Sequence, residues 1–205
     1  MKKSISTLLT LISVIILSGC ASTYKPINPS TLNYNAHDLQ DGIALSYKYD
    51  VLRERGNRKY AKKEAKKGVK LIAVKITNNT DSVINVGRDI AFYSGKNQLF
   101  LMEPMVVQES IKQNVLAYLP YALLTFVNLS VTNGSSTEIY PIGLALGPAA
   151  TISNMVIAGT ANKNLLDELY DYNILSRDIQ KGESVYGIIG VRDIGFSPIS
   201  VRMIE

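Results

Sequence analysis

The chain has 205 residues, a formal net charge of +5, one cysteine, one histidine and no tryptophan. One histidine and one cysteine are too few for the nitrogen and sulfur ligands of a zinc site, which argues strongly against a transition-metal enzyme. No glycine-rich stretch is followed by lysine at the spacing of a phosphate-binding loop. We therefore expect neither a metal nor another cofactor.

Residues 1–19, MKKSISTLLTLISVIILSG, place two lysines before a short apolar run that ends in small residues. This order is typical of a secretory signal peptide, and the run is too short for a comfortable membrane span. The only cysteine follows, so that residues 17–20 read LSGC. LSGC resembles the lipobox, the cleavage site of bacterial lipoproteins. The resemblance implies that the bond between Gly19 and Cys20 is cut and that Cys20 carries a diacylglycerol and an N-terminal acyl group such as palmitate.

The alternative is an ordinary signal peptide that is followed by a cysteine by chance. Several acyl chains on one residue hold a protein on a membrane almost permanently, whereas one chain binds only marginally. Ala21 and Ser22 stand where an aspartate would, by resemblance to the enterobacterial rule, favour the inner membrane. No acidic run that resembles a surface-export tag follows Cys20. We therefore expect an outer-membrane protein that faces the periplasm.

Positive charge is concentrated in residues 53–70, RERGNRKYAKKEAKKGVK, which contain nine basic and two acidic side chains. Export argues against nucleic acid as a partner, and Tyr60 is the only aromatic residue in this basic block, too few for a base-stacking surface. Two interpretations stay open. The block is a solvated, partly helical loop, or it is a surface attracted to anionic lipid close to the anchor.

Residues 20–40 are rich in serine, threonine, asparagine and proline, which we interpret as a tether between the lipid and the domain. From residue 41, apolar residues alternate in short segments separated by polar turns, at 43–51, 69–76, 83–102, 185–191 and 199–204. Strands at both ends of the chain predict an Ig-like antiparallel β-sandwich over residues 41–205, in which the first and last parts pair. The stretches VKITNNTD, YSGKNQ and IQKGESVYGIIGV resemble exported Ig-like domains of lipoproteins of unknown function, which implies binding or scaffolding.

Residues 113–162, here called the uncharged segment, contain a single charged side chain, Glu138. They lie within a predicted, mainly helical insertion at about 105–172, which would interrupt the sandwich. Two apolar halves joined by the polar turn TNGSST indicate an apolar helical hairpin. Lys112 and Lys163 flank the segment, as they would in a hairpin with both ends on one side of a bilayer.

Three interpretations of the uncharged segment stay open. Its helices are buried against the strands, or they enter the lipid layer that holds the anchor, or they form an apolar surface that a partner or a second copy covers. Pro120, Pro141 and Pro148 weigh against continuous membrane-spanning helices. Gly143 and Gly147 have the spacing that permits close packing of a helix.

Few residues are candidates for catalysis. The one histidine, His37, lies in the tether, where nothing rigid would hold it. An amphipathic helix is predicted after Asn162, and its carboxylates Asp167, Glu168 and Asp171 come nearest to the carboxylate pair that a hydrolase would need. Because carboxylates on a helix surface are usually solvated, we expect no catalytic residue.

The sequence therefore predicts a lipid-anchored envelope protein that acts as a non-enzymatic binding or assembly component. Its expected partners are the membrane, through the lipid on Cys20, and a protein or a second copy, through residues 113–162. The alternatives are a membrane-inserting accessory protein that uses the same residues, and a carboxylate-dependent hydrolase.

The lipobox predicts a direct chemical result for Cys20→Ser. This variant lacks the sulfur that receives the lipid, so we expect it to accumulate as an uncleaved precursor without acyl chains. Intact-mass spectrometry of the wild type should show a mature chain that begins at Cys20 and carries the mass of its acyl groups. An unmodified Cys20 on the wild-type mature protein would contradict the anchor.

Overall fold

A computed structural model describes residues 19–192 and 195–204. These residues form two compact units. The smaller unit contains the described residues up to Thr23 together with Gln113–Ala161, and the larger unit contains Tyr24–Lys112 and the described residues from Asn162 onward. The predicted signal peptide, residues 1–19, lies outside the described residues except for Gly19.

The chain alternates between short strands and helices. The strands are β1 Ala36–Gln40, β2 Ile43–Lys48, β3 Val69–Asn78, β4 Ile84–Asn85, β5 Ile90–Ser94, β6 Asn97–Leu99, β7 Leu129–Asn133, β8 Ser136–Tyr140, β9 Asp178–Ile179, β10 Ser184–Arg192 and β11 Ile199–Met203. The α-helices are Val51–Glu54, Arg58–Lys67, Val86–Asp89, Pro104–Ile111 and Gly143–Asp171, and the 3₁₀ helices are Pro29–Thr31 and Val115–Phe126. Helix accounts for 39% and strand for 32% of the described residues, which are therefore mixed α/β rather than mainly β as predicted.

The larger unit contains a four-stranded sheet of order β1-β2-β3-β10, a three-stranded sheet of order β11-β5-β6 and the pair β4-β9. All of these pairings are antiparallel. Because β10 pairs with β3 along nine residues, the predicted pairing between the early and late parts of the domain is confirmed.

The four-stranded and three-stranded sheets share one hydrophobic core. Ile43, Leu45 and Tyr47 alternate along β2 and are buried, as the period of two predicts. Phe92 on β5 and Val201 on β11 belong to the same core. The described residues thus confirm packed antiparallel sheets, but they show no closed sandwich.

Strand β11 lies at an edge of its sheet and is secured by side chains of β1, β2 and the turn between them. Alternate N–H groups of β11 donate hydrogen bonds to the side-chain oxygens of Tyr47, Asp38 and Asp41 at 3.1 to 3.2 Å. An open strand edge offers unpaired groups to other chains, so these bonds help to protect this edge.

The basic block forms the helix Arg58–Lys67, here called the basic helix. Tyr60, Ala61 and Glu64 are buried on one face, and most of the other side chains are cationic. The helix ends where Gly68 adopts a positive φ of 60° and donates its N–H to the Glu64 carbonyl. The predicted helical character is confirmed, but the buried face shows that the block packs on the larger unit and is not a solvated loop.

Residues 24–40 are not a tether. Tyr24 and Ile27 are buried, and Ala36–Gln40 form β1 at the edge of the four-stranded sheet. The polar residues that predicted a linker lie largely in segments without regular secondary structure. A few buried apolar side chains and one strand pairing outweigh them, so the tether prediction is wrong for this range.

The smaller unit contains the 3₁₀ helix Val115–Phe126, the β7–β8 hairpin and the first part of the helix Gly143–Asp171, here called the long helix. The two predicted helical halves are present, but a β-hairpin joins them rather than a polar turn alone. Pro120 lies within the 3₁₀ helix and Pro148 within the long helix. Neither proline ends its helix, contrary to expectation.

Gly143 and Gly147 allow the long helix to approach the end of the 3₁₀ helix closely. A β-carbon on Gly143 would lie 2.2 Å from the Leu124 carbonyl oxygen, and one on Gly147 would lie 2.5 Å from the Thr125 main-chain nitrogen. Real β-carbons do not make contacts this short with backbone atoms. The packing within the smaller unit therefore depends on the absence of both side chains.

We expect Gly147→Ala to destabilise the smaller unit by about 1–3 kcal/mol, because the backbone of Thr125 must move to accept the new methyl group. The matched control is Gly159→Ala in the same helix, where a β-carbon would meet nothing within 4 Å. This control should stabilise the helix by up to about 1 kcal/mol. Denaturant titration followed by circular dichroism measures both. Equal effects of the two variants would contradict the packing role.

Candidate functional site

The lipobox residues lie at the start of the described chain. Cys20 belongs to the smaller unit and is exposed. At the preceding position, a β-carbon on Gly19 would lie 2.2 Å from the Tyr121 hydroxyl oxygen. The tyrosine side chain can rotate away, so this contact does not itself require glycine.

The two residues after Cys20 are held by side chains of the uncharged segment. The Ala21 N–H donates to Asn154 Oδ1 at 2.6 Å, and the Ser22 N–H donates to Gln113 Oε1 at 3.1 Å. Gln113 Nε2 in turn donates to the Ser22 carbonyl at 2.6 Å. Both amide side chains are buried, where an unpaired polar group costs about 1–3 kcal/mol. These bonds fix the two residues after Cys20 to the smaller unit.

Sequence reasoning did not identify Gln113 or Asn154 as part of the anchor site. Asn154 is a single amide in an apolar stretch and Gln113 lies between Lys112 and Asn114, and their partners lie 133 and 91 residues away along the chain. The one available signal was the requirement that a buried amide find a partner. That requirement does not say which backbone groups supply it.

Many large apolar side chains of the smaller unit face solvent. Among the described residues, fourteen large hydrophobic side chains of this unit are exposed, against eight in the larger unit, which is more than twice as long. They form what we call the apolar surface: Leu116, Leu119, Leu123, Phe126, Leu129, Val131, Ile139, Tyr140, Ile142, Leu144, Leu146, Ile152, Val156 and Ile157. Exposed apolar area of this density marks a protein or membrane contact.

The long helix is long and apolar enough, by length and composition, to cross a membrane. A core helix of a soluble protein can meet the same criterion, but it is mostly buried. Only 28% of the most apolar window of the long helix is buried. This exposure disfavours the interpretation in which the uncharged segment forms buried core helices.

The β7–β8 hairpin carries several polar side chains of the smaller unit. All ten residues of its two strands are exposed. Thr132 and Thr137 form a cross-strand hydrogen bond of 3.1 Å, and the Tyr140 hydroxyl donates to the carboxylate of Glu138. The one formal charge of the uncharged segment therefore lies on this hairpin.

The three carboxylates considered for a hydrolase do not form a catalytic pair. Asp167 is exposed, and its Oδ2 lies 2.5 Å from Lys163 Nζ in an i,i+4 ion pair. Glu168 is buried and Asp171 is exposed. His37, on β1, is held by Ser46 Oγ at 2.8 Å from its Nδ1 and has no carboxylate partner among the contacts that the structure describes for it. The geometry brings none of these groups together.

Glu168 instead fastens the N-terminal part of the larger unit. Its carboxylate accepts hydrogen bonds from the Tyr24 hydroxyl at 2.5 Å and from the main-chain N–H groups of Ile27 and Asn28 at 3.0 and 2.8 Å. Burial, reinforced by the neighbouring Glu168 charge, raises the pKa of Tyr24 above its ordinary value. The hydroxyl therefore stays protonated and keeps donating.

The described part of the larger unit contains a small internal cavity and an open groove that is lined by aromatic rings. The cavity, lined by Val107, Leu169 and Gly190 among others, measures about 10 Å³, room for one water and far below the size of a ligand pocket. The groove measures about 400 Å³, and Tyr49 and Phe196 line it with ring centroids 5.4 Å apart, edge to face. This groove, which sequence reasoning missed, can accept an extended ligand against aromatic rings.

Within the described ranges, no cluster of three or more histidine, cysteine, aspartate or glutamate side chains could hold a metal ion. No protein-family model, curated protein or solved structure matches the chain. The functional assignment therefore depends on the physical chemistry of the residues themselves.

We expect Glu168→Gln to lower the free energy of unfolding by about 2 kcal/mol, because the new amide N–H₂ faces donors where the carboxylate accepted them. Asp167→Asn changes the adjacent, exposed carboxylate and should alter stability by less than about 0.5 kcal/mol. Thermal unfolding of the two variants measures the difference. If both variants unfold like the wild type, Glu168 does not fasten residues 24–28.

Proposed function

We propose that this protein is a lipid-anchored envelope protein whose smaller unit is embedded in the lipid layer and whose larger unit is a non-enzymatic binding or assembly module. One observation carries the proposal. Cys20, the lipid-attachment residue implied by the lipobox, belongs to the same compact unit as the apolar surface. The acyl chains and the apolar side chains would thus enter the same membrane.

The energetics of burial support a membrane role for the apolar surface. Full burial of a large apolar side chain stabilises by about 1.5–3 kcal/mol. These side chains are between 36% and 78% exposed, so each would contribute roughly 1 kcal/mol on entering lipid. Without the four on the β7–β8 hairpin, ten of them amount to on the order of 10 kcal/mol. This contribution adds to about 0.8 kcal/mol for each buried methylene of the acyl chains.

The β7–β8 hairpin limits how the smaller unit enters lipid. Among the described strands, β7 and β8 pair only with each other, so the N–H and C=O groups on their outer edges have no sheet partner there. Open sheet edges do not occur in the hydrocarbon layer, and the Glu138 carboxylate is costly there as well. We place the hairpin in the headgroup region or in water, and the apolar side chains of the two helices in hydrocarbon.

The larger unit is proposed to be a variant of the Ig-like sandwich, since its two antiparallel sheets share one core. Its aromatic groove favours a binding role, because the described carboxylates that could support hydrolysis are engaged in structural contacts or lie apart. The proposed location is the periplasmic face of the outer membrane, as the residues after Cys20 imply by resemblance.

A partner protein or a second copy that covers the apolar surface is the competing assignment. In that assignment, protein covers the same exposed side chains, and the lipid on Cys20 does not contact them. Under that assignment the apolar surface contacts protein and is shielded from acyl chains. A probe placed on the surface distinguishes the two environments.

The chain contains no tryptophan, so a single introduced tryptophan is an isolated fluorescent probe. Phe126→Trp places it on the apolar surface, and Phe100→Trp places it at an equally exposed position, 78% in both cases, on the larger unit. In vesicles with brominated acyl chains, we expect strong quenching of the indole emission from position 126 and little quenching from position 100. Quenching that is absent at position 126, or equal at both positions, would contradict insertion of the smaller unit.

A further inference from the structure

The chain passes between the two units three times: after Thr23, after Lys112 and after Ala161. On the larger unit, the residues next to each passage are fastened to one element, the basic helix. All of the contacts between these residues and the basic helix lie within the larger unit.

The first passage enters the larger unit at Tyr24. The Tyr24 ring packs edge to face against Tyr60 of the basic helix, with ring centroids 5.6 Å apart. The Lys25 N–H donates to Asn57 Oδ1 at 2.9 Å, and Asn57 Nδ2 donates to the Lys25 carbonyl at 2.7 Å. Asn57 is the residue that immediately precedes the basic helix.

The other two passages contact the next turns of the same helix. Lys63 Nζ donates to the carbonyl of Lys112, the last residue before the second passage. The Tyr60 hydroxyl donates to Asn162 Oδ1 at 3.0 Å, and Asn162 is the first residue after the third passage. Positions 57, 60 and 63 follow one face of the helix at intervals of three. One helical face thus holds all three passages.

The other side of the basic helix is exposed and cationic. Arg58, Lys62 and Lys66 follow one another at intervals of four and are exposed, as is Lys67. Among the described residues, no ion pair includes any of these four side chains.

A shallow open groove of about 360 Å³ lies along this exposed side of the helix. Two alanines, Ala61 and Ala65, line it together with the cations Arg53, Arg58 and Lys62. No carboxylate lines the groove. A surface with small residues and several unneutralised cations is complementary to anions.

The cations on this helix also crowd one another. Partial burial and the neighbouring charges of Lys67, Lys112 and Lys66 lower the pKa of Lys63. Like charges held this close by a rigid helix and its neighbour are relieved by an anion. The crowding therefore points to an anionic partner rather than to solvent alone.

We propose that the basic helix binds the phosphate headgroups of anionic phospholipids at the surface of the membrane that carries the anchor. The inference rests on the proposed function, because a smaller unit embedded in lipid brings all three passages to the membrane surface. Covalent continuity then keeps the face formed by Asn57, Tyr60 and Lys63 next to that surface. A helix is about 10–12 Å in diameter, so the long arginine and lysine side chains on its exposed side can extend past it to the headgroups.

The test uses the full lipoprotein in vesicles and a donor dye on Ala65→Cys, an exposed position within the groove. With Cys20 acylated, the introduced thiol is the one that reacts. Energy transfer is measured to a trace acceptor dye carried either on phosphatidylglycerol or on phosphatidylcholine, in vesicles of the same mixed composition. We expect at least about twofold stronger transfer to the anionic lipid, with an upper limit of about fivefold per engaged cation.

Charge variants show whether the preference belongs to the basic helix. Lys62→Gln, Lys66→Gln and Lys67→Gln, combined, should abolish it. Lys96→Gln, Arg177→Gln and Lys181→Gln, combined, remove the same charge from exposed positions elsewhere on the larger unit and should preserve it. Salt at about 1 M shortens the screening length to about 3 Å and should also remove the preference.

Equal transfer to the two acceptors in the wild type would overturn the proposal, and that comparison needs no variant to fold. A preference that both triple variants lose equally would also overturn it, since the net charge and not the helix would then be responsible. A different result would contradict the proposed function, namely the absence of quenching by brominated acyl chains at position 126. An acidic protein partner instead of lipid predicts no preference between the two acceptors.

Discussion

The structure depends on one constraint: fifty consecutive residues carry a single formal charge, and their backbone folds without burying most of their large side chains. Water solvates such a surface poorly, so it needs a covering. The same unit contains Cys20, whose neighbours Ala21 and Ser22 are tied to Asn154 and Gln113 by hydrogen bonds. The proposed anchor position and the apolar surface are therefore parts of one compact unit. In the proposed function, a single lipid layer receives the acyl chains and covers the apolar surface.

The larger unit, in contrast, buries its apolar side chains. Its apolar residues alternate along short strands and meet in one core, and its buried polar groups find partners, as the Glu168 carboxylate does with Tyr24, Ile27 and Asn28. On the basic helix, one face holds the residues next to the three chain passages and the other face carries exposed cations. Exposed cations of this kind are stabilised by an anionic interface.

Much of this organisation is visible in the sequence, and the exceptions have physical causes. The alternation in GIALSYK predicted β2 because a period of two leaves one face for the core, whereas β3, which was also predicted as a strand, is buried on both faces over most of its length. The composition of residues 24–40 led to the wrong prediction of a tether. Polar residues are in the majority there, but the buried side chains of Tyr24 and Ile27 determine the structure. The roles of Gln113, Asn154 and Glu168 come from partners 91 to 144 residues away along the chain, and no local pattern encodes such contacts. Proline statistics failed at Pro120 because a 3₁₀ helix tolerates it, and the β7–β8 hairpin escaped detection because its strands bury nothing.

The most direct test of the central claim is photolabelling of the native envelope with a carbene reagent that partitions into the hydrocarbon layer, followed by peptide mass spectrometry. Embedding of the smaller unit predicts that the labels concentrate in the long helix before Ala161 and in Val115–Phe126, and that β7, β8 and the larger unit remain unlabelled. Labels spread evenly over both units, or absent from residues 113–161 while Cys20 carries its acyl chains, would contradict the account.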